Sequence, residues 1–205
     1  YRQLASLLWS NHYYDGNIAD TGRRPLVLSR NGGLGSQRYP IGFSGDTHQA
    51  FPTLAYQIRA TPTAANVLFG WWSHDIGGFH SAGVPGDADP SNAVGSELLL
   101  RWIQFGALSP IFRTHCQQCE RRIWKFPYYQ QMKEAMVLRN NLGPYLYTAA
   151  RNAFDTGVAL VHPMYYDSPH EEAAYVHKQQ YMLGDDILAS PISEPVNRNA
   201  STISS

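Results

Sequence analysis

The chain has 205 residues and carries 16 lysines and arginines against 16 aspartates and glutamates, so its formal net charge at pH 7 is zero. This balance gives no electrostatic reason to expect a nucleic acid or an anionic membrane as a partner. Charged residues make up 16% of the chain, against roughly 25% in a typical protein, so we expect much of its surface to be buried. No apolar run reaches the roughly 18 residues of a membrane-spanning helix, and residues 1–15 lack the cationic start and cleavage site of a signal peptide.

The first half of the chain predicts helices and short buried strands in alternation. Apolar residues at helical spacing predict helices over residues 1–14 and 49–60. The apolar runs at residues 26–28 and 67–71 predict two strands of the fully buried, parallel kind. A glycine-rich loop follows the first strand, and a polar pair followed by glycines comes after the second.

The second half of the chain continues the alternation. It predicts helices over residues 97–108 and 128–155, the latter interrupted at Gly143-Pro144, where proline suits the first turn of a new helix. Three further strands are predicted, at residues 110–112, 158–164 and 187–192.

A strand, a polar strand end and a helix therefore follow one another four times. Such repetition is typical of a parallel α/β sheet, in which ligands bind beyond the carboxyl ends of the strands. Four chemically capable side chains, Arg30, Asp46, Asp75 and His115, fall at or just beyond those ends. A doubly wound open sheet is the alternative architecture, but no GxGxxG motif opens a helix after the first strand.

These side chains suit the hydrolysis of a sugar. Asp46 stands among glycines and aromatic residues, where desolvation favours the protonated form that a general acid needs. From the residue types alone, Asp46 and Asp75 are the candidate carboxylates of a glycosidase. The competing interpretations are an ordinary surface ion pair for Arg30 and a turn cap for Asp75. The aromatic residues that could stack on a sugar, or instead pack in the core, are Phe43, Phe79, Trp71 and Trp72.

Both cysteines lie in one CxxC motif, Cys116 to Cys119, next to His115. Such a motif can form a redox pair or half of a zinc site. Zinc needs four ligands, and no second cluster has the right spacing. We therefore expect two reduced thiols and neither a metal nor an organic cofactor, and a thiol redox protein is a minor alternative.

Several stretches resemble glycoside hydrolase family 31, the α-glucosidase and α-xylosidase family. SRNGGLGSQRYPIGFSGD resembles its acid/base segment, including the interval of 16 residues between Arg30 and Asp46. WWSHDIGGF and RWIQFGALSPIFRTH resemble the regions of the sixth and seventh barrel strands. LRNNLGPYLYTAARNAFDTGVALVHPMYY and QYMLGDDILASPI resemble the last barrel helix, the eighth strand and the entry to a β-sandwich. The stretches occur in family order and cover nearly the whole chain.

The resemblance implies a fold and a division into domains. Residues 1–170 correspond to the C-terminal half of a (β/α)8 TIM barrel, about strands five to eight. Residues 171–205 correspond to the start of a β-sandwich domain, which is truncated. The family's nucleophile, an aspartate at the end of the fourth strand, would lie upstream of this chain.

The resemblance also implies roles for the candidate residues. Asp46 corresponds to the general acid/base, while Arg30 and His115 correspond to side chains that hydrogen-bond the sugar. Asp75 corresponds to an aspartate that lines the sugar subsite, which replaces its interpretation as a second catalytic carboxylate. Two aromatic residues complete the implied subsite. Phe79 forms a wall, and Phe43 stands where many relatives have tryptophan.

The implied function is that of a retaining α-glycosidase that removes α-linked glucose or xylose from the non-reducing ends of oligosaccharides. Its expected partners are the oligosaccharide and the N-terminal half of its own barrel. A non-catalytic carbohydrate-binding paralogue is the alternative. Three features depart from the family pattern: Thr47 after the acid, His162 in place of an arginine, and a longer loop at residues 80–92.

Overall fold

The computed structural model describes residues 2–30, 32–33, 35–39, 41–81 and 91–196, with the side chains of residues 2, 3 and 93 left out. The helices are α1 (Arg2–Thr21), α2 (Phe51–Thr63), α3 (Ala93–Ala107), α4 (Tyr129–Asn141), α5 (Gly143–Thr156) and α6 (Ala173–Val176). The strands are β1 (Leu28–Ser29), β2 (Ile41–Phe43), β3 (Trp71–Ser73), β4 (Val161–His162), β5 (Tyr181–Leu183) and β6 (Ile187–Ala189). Short 3-10 helices lie at Ser36–Arg38, Ala64–Val67, Ile123–Lys125 and Met164–Tyr166. No helix among these residues is both long and apolar enough to cross a membrane.

The first sheet is parallel, with the strand order β1-β2-β3. Leu28 pairs with Ile41, and Ile41 pairs in turn with Trp71. Because all three strands run in one direction, their carboxyl ends lie along one edge of the sheet. The predicted strand at residues 110–112 does not form. Beyond it, the Ile76 amide donates to the carbonyl of Arg113 at 3.1 Å, which continues the parallel arrangement by a single bridge.

The second sheet is antiparallel, with the order β4-β5-β6. The strand predicted at residues 158–164 forms as β4, and among the described residues it pairs with β5 and not with the first sheet. A tight turn at Gly184, which has a φ of +60°, folds β6 back on β5. The Gly184 amide also donates to Leu160 at 2.7 Å, which holds this hairpin against β4.

The first helix continues to Thr21, seven residues beyond its predicted end at residue 14. Asp15-Gly16 does not stop it, and Asn11 Nδ2 donates to Asp15 Oδ2 at 2.6 Å across the turn that precedes Gly16. The helix ends where Gly22 adopts a φ of +64° and its amide donates to Ile18 at 2.8 Å, the usual geometry of a glycine terminator.

The main core lies between the helices and the second sheet. Its fully buried residues include Leu54 and Ile58 of α2, Trp102 of α3, Met132 of α4 and Tyr181 of β5. Helix α3 is buried on most sides.

Arg139 of α4 fixes the segment that leaves α3. Its guanidinium donates to the carbonyls of Ala107 at 3.2 Å and Pro110 at 2.9 Å, and also to that of Ser109. Tyr181 donates to the carbonyl of Leu108 at 3.1 Å. These bonds satisfy the free carbonyls of the helix end and set the course of the chain toward residues 113–115.

Candidate active site

Arg30 and Asp46 follow neighbouring strands and meet at the carboxyl edge of the first sheet. Arg30 Nη2 lies 3.3 Å from Asp46 Oδ2, with the two side chains 58% and 24% exposed. Gly45, with a φ of +73°, stands between them, and a Cβ at this position would lie 3.4 Å from Arg30 Nε. That distance is an ordinary van der Waals contact, so it is the left-handed backbone at this position that favours glycine.

His80 is a second partner of Asp46, and the sequence analysis did not single it out. Its Nε2 lies 3.6 Å from the same oxygen, Oδ2, and its side chain is 43% exposed. The amides of Phe79 and His80 both donate to the carbonyl of Thr47, at 2.7 and 3.0 Å. The Gln49 amide donates to the carbonyl of His80 at 3.0 Å, so the loop after β2 and the loop after β3 are joined by backbone hydrogen bonds.

Asp75 is fully buried and pairs with Arg113, a second residue that the sequence analysis missed. Arg113 Nη2 donates to Asp75 Oδ1 and Nε donates to Ser73 Oγ at 3.2 Å, while the guanidinium lies 5.2 Å from the ring centre of Phe43. Burial raises the pKa of Asp75, and the charge and hydrogen bond of Arg113 act against that rise. Among the described residues, Asp75 Oδ2 has no hydrogen-bond partner. In an extended segment, residues two positions apart project to the same side. The position of Arg113 two residues before His115 was therefore the sequence signal that could have identified it as a site residue.

His74 holds the backbone of Asp75 from the core side. Trp102 Nε1 donates to His74 Nδ1 at 3.1 Å, so the imidazole proton is on Nε2 and is donated to Ser109 Oγ at 2.9 Å. The ring also stacks on Phe105, with a centroid separation of 4.5 Å. Complete burial lowers the pKa of His74 to about 3, so the residue is a neutral structural group that the hydrogen-bond chain keeps in place.

A row of rings lines the same edge. The Phe79 ring lies 5.2 Å from that of His115 and meets His80 edge to face at 4.6 Å, and the His48 ring lies 6.2 Å from His80. The Gln117 amide donates to the carbonyl of Phe79 at 3.1 Å and thereby ties the loop that carries His115 to the row. The structure thus brings Phe79 and His115 together, as it does Arg30 with Asp46.

Cys116 and Cys119 form a disulfide, so the expectation of two reduced thiols is wrong. Gln118 adopts a left-handed conformation with a φ of +53°, which closes the four-residue loop and brings the cysteine Cα atoms to 6.0 Å. Within the described ranges, no group of three histidine, cysteine, aspartate or glutamate side chains is arranged to hold a metal ion.

Arg121 links the disulfide loop to the loop after β3. Its Nη2 donates to the carbonyl of Gly78 at 2.6 Å, and Nη1 donates to that of Glu120 at 2.9 Å. The guanidinium occupies the space beside Gly77, where a Cβ would lie 2.6 Å from its central carbon. Burial lowers the pKa of Arg121 to about 10, which leaves it charged at neutral pH.

The remaining candidates lie elsewhere. Trp71 packs against the core, and Trp72 packs on Phe69 at a centroid separation of 6.1 Å, as the packing interpretation of the tryptophans expects. His162 is buried, with its ring nitrogens 2.8 Å from the carbonyl of Ala159 and 3.0 Å from Asp167 Oδ2. The hydroxyl of Thr47 is buried without a partner in the described part of the chain. Residues 82–90 of the long loop lie outside the described residues.

The arrangement offers a partly exposed carboxylate at the rim and a buried carboxylate paired with arginine beneath it. Asp75 interacts electrostatically with Arg113, His115 and Asp46, so these groups form one polar cluster. Carboxylates and guanidinium groups bind hydroxyl groups, and the neighbouring rings offer apolar faces. A site of this composition suits a sugar, and Asp46 is the carboxylate of the two that is accessible to a ligand.

Comparison with known families agrees with this chemistry. Residues 1–149 match the model of the glycosyl hydrolases family 31 TIM-barrel domain, and residues 157–203 match that of the family 31 C-terminal domain. An alpha-glucosidase of Hordeum vulgare is 34% identical over 183 residues, which cover 88% of this chain and 20% of that protein. An alpha-xylosidase of Saccharolobus solfataricus is 29% identical over 198 residues, which cover 95% of this chain and 26% of that protein. The chain therefore spans about a fifth to a quarter of the length of these relatives.

Solved structures share the fold. A family 31 alpha-xylosidase from a soil metagenome, complexed with xylose, matches with a TM-score of 0.82 and 30% identity, over 92% of this chain and 30% of that one. A Flavobacterium johnsoniae family 31 dextranase, complexed with glucose, matches with a TM-score of 0.86 and 26% identity, over 95% of this chain and 24% of that one. The chain belongs to glycoside hydrolase family 31 and carries part of the family's TIM-barrel domain followed by the start of its C-terminal β domain.

Proposed function

We propose that this chain supplies the acid/base side of the active site of a retaining α-glycosidase. Asp46 protonates the glycosidic oxygen as the bond breaks and then removes a proton from the water that releases the sugar. A carboxylate outside this chain is the nucleophile and forms the glycosyl-enzyme intermediate between these two steps. The observation that carries the proposal is the position of Asp46, partly exposed beyond β2 and paired with Arg30 from the neighbouring strand.

The sugar unit that is cleaved lies against the inner cluster. Asp75 Oδ2, which lacks a hydrogen-bond partner among the described residues, accepts from sugar hydroxyls, and Arg30 and His115 donate to them. Phe79 forms one wall of this subsite and Phe43 lies beneath it. The alpha-glucosidase and alpha-xylosidase relatives, and the neighbouring structures complexed with xylose and glucose, favour α-linked glucosides or xylosides as substrates. On this proposal the enzyme cleaves them from the non-reducing end.

Residues 1–170 are, on this proposal, the second half of the barrel, and residues 171–205 begin the sandwich domain. The N-terminal half of the same barrel, with the nucleophile aspartate, lies upstream. An exposed apolar surface supports this assignment, because Leu8, Trp9 and Tyr13 of α1 and Leu26 beside β1 are all exposed. In the part of the chain that the structure describes, β1 also pairs on one side only, with β2. A sheet edge and an apolar face of this kind normally pack against further strands and helices.

The test uses the complete parent enzyme with Asp46→Asn, which keeps the shape of the side chain but cannot deliver a proton. General acid catalysis typically contributes about 10²–10⁴-fold, so disaccharide hydrolysis should fall by that range. A 4-nitrophenyl glycoside needs little protonation of its leaving group and should lose much less. Asp155→Asn, at an exposed ion pair far along α5, is the matched control. Equal losses on both substrates would contradict the proposed role of Asp46.

The 205 residues alone provide a second arm of the test. A retaining mechanism needs two carboxyl groups about 5–5.5 Å apart, and on this proposal the chain holds only the acid/base. The isolated chain should therefore show no turnover of aryl α-glucoside or α-xyloside. Turnover that disappears in Asp46→Asn would show that the chain carries its own nucleophile, with Asp75 the first residue to examine. A parent protein that binds sugar but never hydrolyses it would instead be the carbohydrate-binding paralogue.

A further inference from the structure

His80 contacts the candidate acid, yet the proposed mechanism gives it no task. Its Nε2 lies 3.6 Å from Asp46 Oδ2, the oxygen that Arg30 also contacts. This separation exceeds that of a formed hydrogen bond, but such contacts in unliganded active sites commonly shorten when substrate binds. Because Arg30 and His80 both lie beside Oδ2, the proton that Asp46 delivers is best carried by the other oxygen, Oδ1.

The position of His80 is built into the backbone. His48 and His80 form a parallel bridge, and the hydrogen bonds to Thr47 and from Gln49 hold the two loops together. Gly78 allows this close approach, because it has a φ of +79° and a Cβ there would lie 2.7 Å from the Cα of Gln49. Three backbone hydrogen bonds therefore fix the backbone of His80 against the loop that carries Asp46.

Exposure differs among the three groups. Asp75 is fully buried, Asp46 is 24% exposed and His80 is 43% exposed, so His80 is the most accessible of the three. Asp75 interacts electrostatically with Arg113, His115 and Asp46, and His80 contacts Asp46, so Asp46 connects the buried cluster with His80.

A general acid stands between the sugar that is cleaved and the group that leaves, because it protonates the oxygen that joins them. The buried cluster around Asp75 lies on the inner side of Asp46. We propose, on the basis of the proposed function, that His80 binds the leaving-group sugar and so determines which oligosaccharides are cleaved. Its ring nitrogens exchange hydrogen bonds with hydroxyls of that sugar, and His48 extends the same surface outward.

The experiment compares three donors that share one sugar but differ in the leaving group, with the complete parent enzyme. In the gluco series these are maltose or isomaltose, methyl α-glucoside and 4-nitrophenyl α-glucoside, and the xylo series is used if the parent prefers xylosides. The disaccharide and the methyl glycoside both need protonation, but only the disaccharide offers a second sugar. The aryl glycoside needs little protonation. This choice separates a contact with the leaving-group sugar from an effect on the acid.

We expect His80→Ala to lower kcat/KM for the disaccharide by about 3- to 30-fold, the effect of one or two lost hydrogen bonds, and to change the other two donors less than about twofold. His80→Phe keeps a ring against Phe79 but has no ring nitrogen, so it should show the same selective loss. His80→Gln, which can still donate and accept, should recover part of the activity. His170→Ala, at an exposed histidine outside the site, is the matched control.

Two results would overturn the proposal. Equal losses on the disaccharide and the methyl glycoside, with the aryl glycoside spared, would show that His80 acts on Asp46 and not on the leaving sugar. Unchanged kcat/KM on all three donors would show that His80 has no part in the reaction. Asp46→Asn is assayed in parallel, since failure of that variant to lose activity would contradict the proposed function itself and not the role of His80.

Discussion

Replacing Arg113 with methionine removes the charge that balances Asp75 while keeping most of the side chain's length. Asp75 is completely buried and Arg113 is 26% exposed. Removal of one partner from such a pair leaves a buried charge without compensation, which typically costs about 3–5 kcal/mol. We expect Arg113→Met to destabilise the protein, and we expect the loss of stability to depend on pH.

Protonation of Asp75 limits the size of this loss. Burial already raises the pKa of Asp75 above its ordinary value of 3.8, and the variant loses the guanidinium that opposes the rise. At 1.36 kcal/mol for each pH unit above 3.8, taking up a proton costs about 4.4 kcal/mol at pH 7 and about 1.6 kcal/mol at pH 5. The loss can therefore be up to about 3 kcal/mol larger at pH 7 than at pH 5.

The direction follows from proton linkage. A carboxyl whose pKa is higher in the folded state than in the unfolded state binds more protons when folded. The contribution of Asp75 to the stability of the variant is therefore largest below pH 3.8 and is lost as the pH rises through the folded-state pKa. This is opposite to the usual salt-bridged aspartate, which loses stability as the pH falls.

The assay is urea unfolding of the complete enzyme at pH 5 and pH 7, followed by tryptophan fluorescence, with the midpoints compared at constant slope. Asp75→Asn and the double variant complete the cycle, because asparagine carries no charge for Arg113 to balance. In the Asp75→Asn background, Arg113→Met should cost little and should show no pH dependence. A loss that is equal at both pH values, or equal in both backgrounds, would refute the reasoning. Arg113 would then stabilise the protein by packing over Phe43.

Three further predictions concern the site and its supports. Arg30→Ala and His115→Ala should each lower kcat/KM at least tenfold in steady-state assays. Their thermal midpoints should be nearly unchanged, because both side chains are exposed at the rim, and unfolding of either variant would assign that residue to structure. Because burial lowers the pKa of His74 to about 3, its contribution to stability is fully present above pH 6.5 and is lost as the pH falls toward 3, by up to about 1.4 kcal/mol per pH unit. His74→Gln should flatten this part of the curve in urea titrations between pH 6 and 4, and an unchanged slope would contradict the assignment. Replacing Cys116 and Cys119 by serine should lower the free energy of unfolding by about 2 kcal/mol, the chain-entropy value for a four-residue loop. Dithiothreitol should lower the melting temperature of the parent but not that of the variant, and a parent that does not respond would contradict the expectation.

The rim of the site could be predicted because strand ends are a local feature of the sequence. A short apolar run followed by a polar residue marks such an end, and parallel strands bring their ends to one edge. This reasoning selected Arg30 directly after β1, while Asp46 was selected among the glycines of the following loop, and the structure brings the two to an ion pair. Phe79, selected as an aromatic that could stack on a sugar, and His115 lie with their rings together. Their roles in catalysis stay predictions.

Strand β2 could not be predicted, because it has three residues and is reached from β1 without an intervening α-helix. The connection contains the 3-10 turn Ser36–Arg38, so the expected alternation of strand and helix is broken. The predicted strand at residues 110–112 failed for a different reason. Arg139 occupies the carbonyls of Ser109 and Pro110, and this partner lies about 30 residues away, beyond any local pattern.

Arg113 and His80 were missed because their importance arises between loops. The strands of the first sheet share two or three residue pairs each, which is too little to fix side chains several residues beyond their ends. The loops are fixed instead by direct bonds to one another. Arg121 donates to the carbonyl of Gly78, and the Ile76 amide donates to that of Arg113.

Gly78 joins the loop after β3 to two other loops. Its lack of a side chain lets the loop after β3 approach Gln49, and its carbonyl receives the Arg121 guanidinium. A larger residue there would push the two loops apart and move His80 away from Asp46, although it touches neither side chain. Because a displacement of about 1 Å can cost about 100-fold in rate, the placement of His80 beside Asp46 should depend strongly on this glycine.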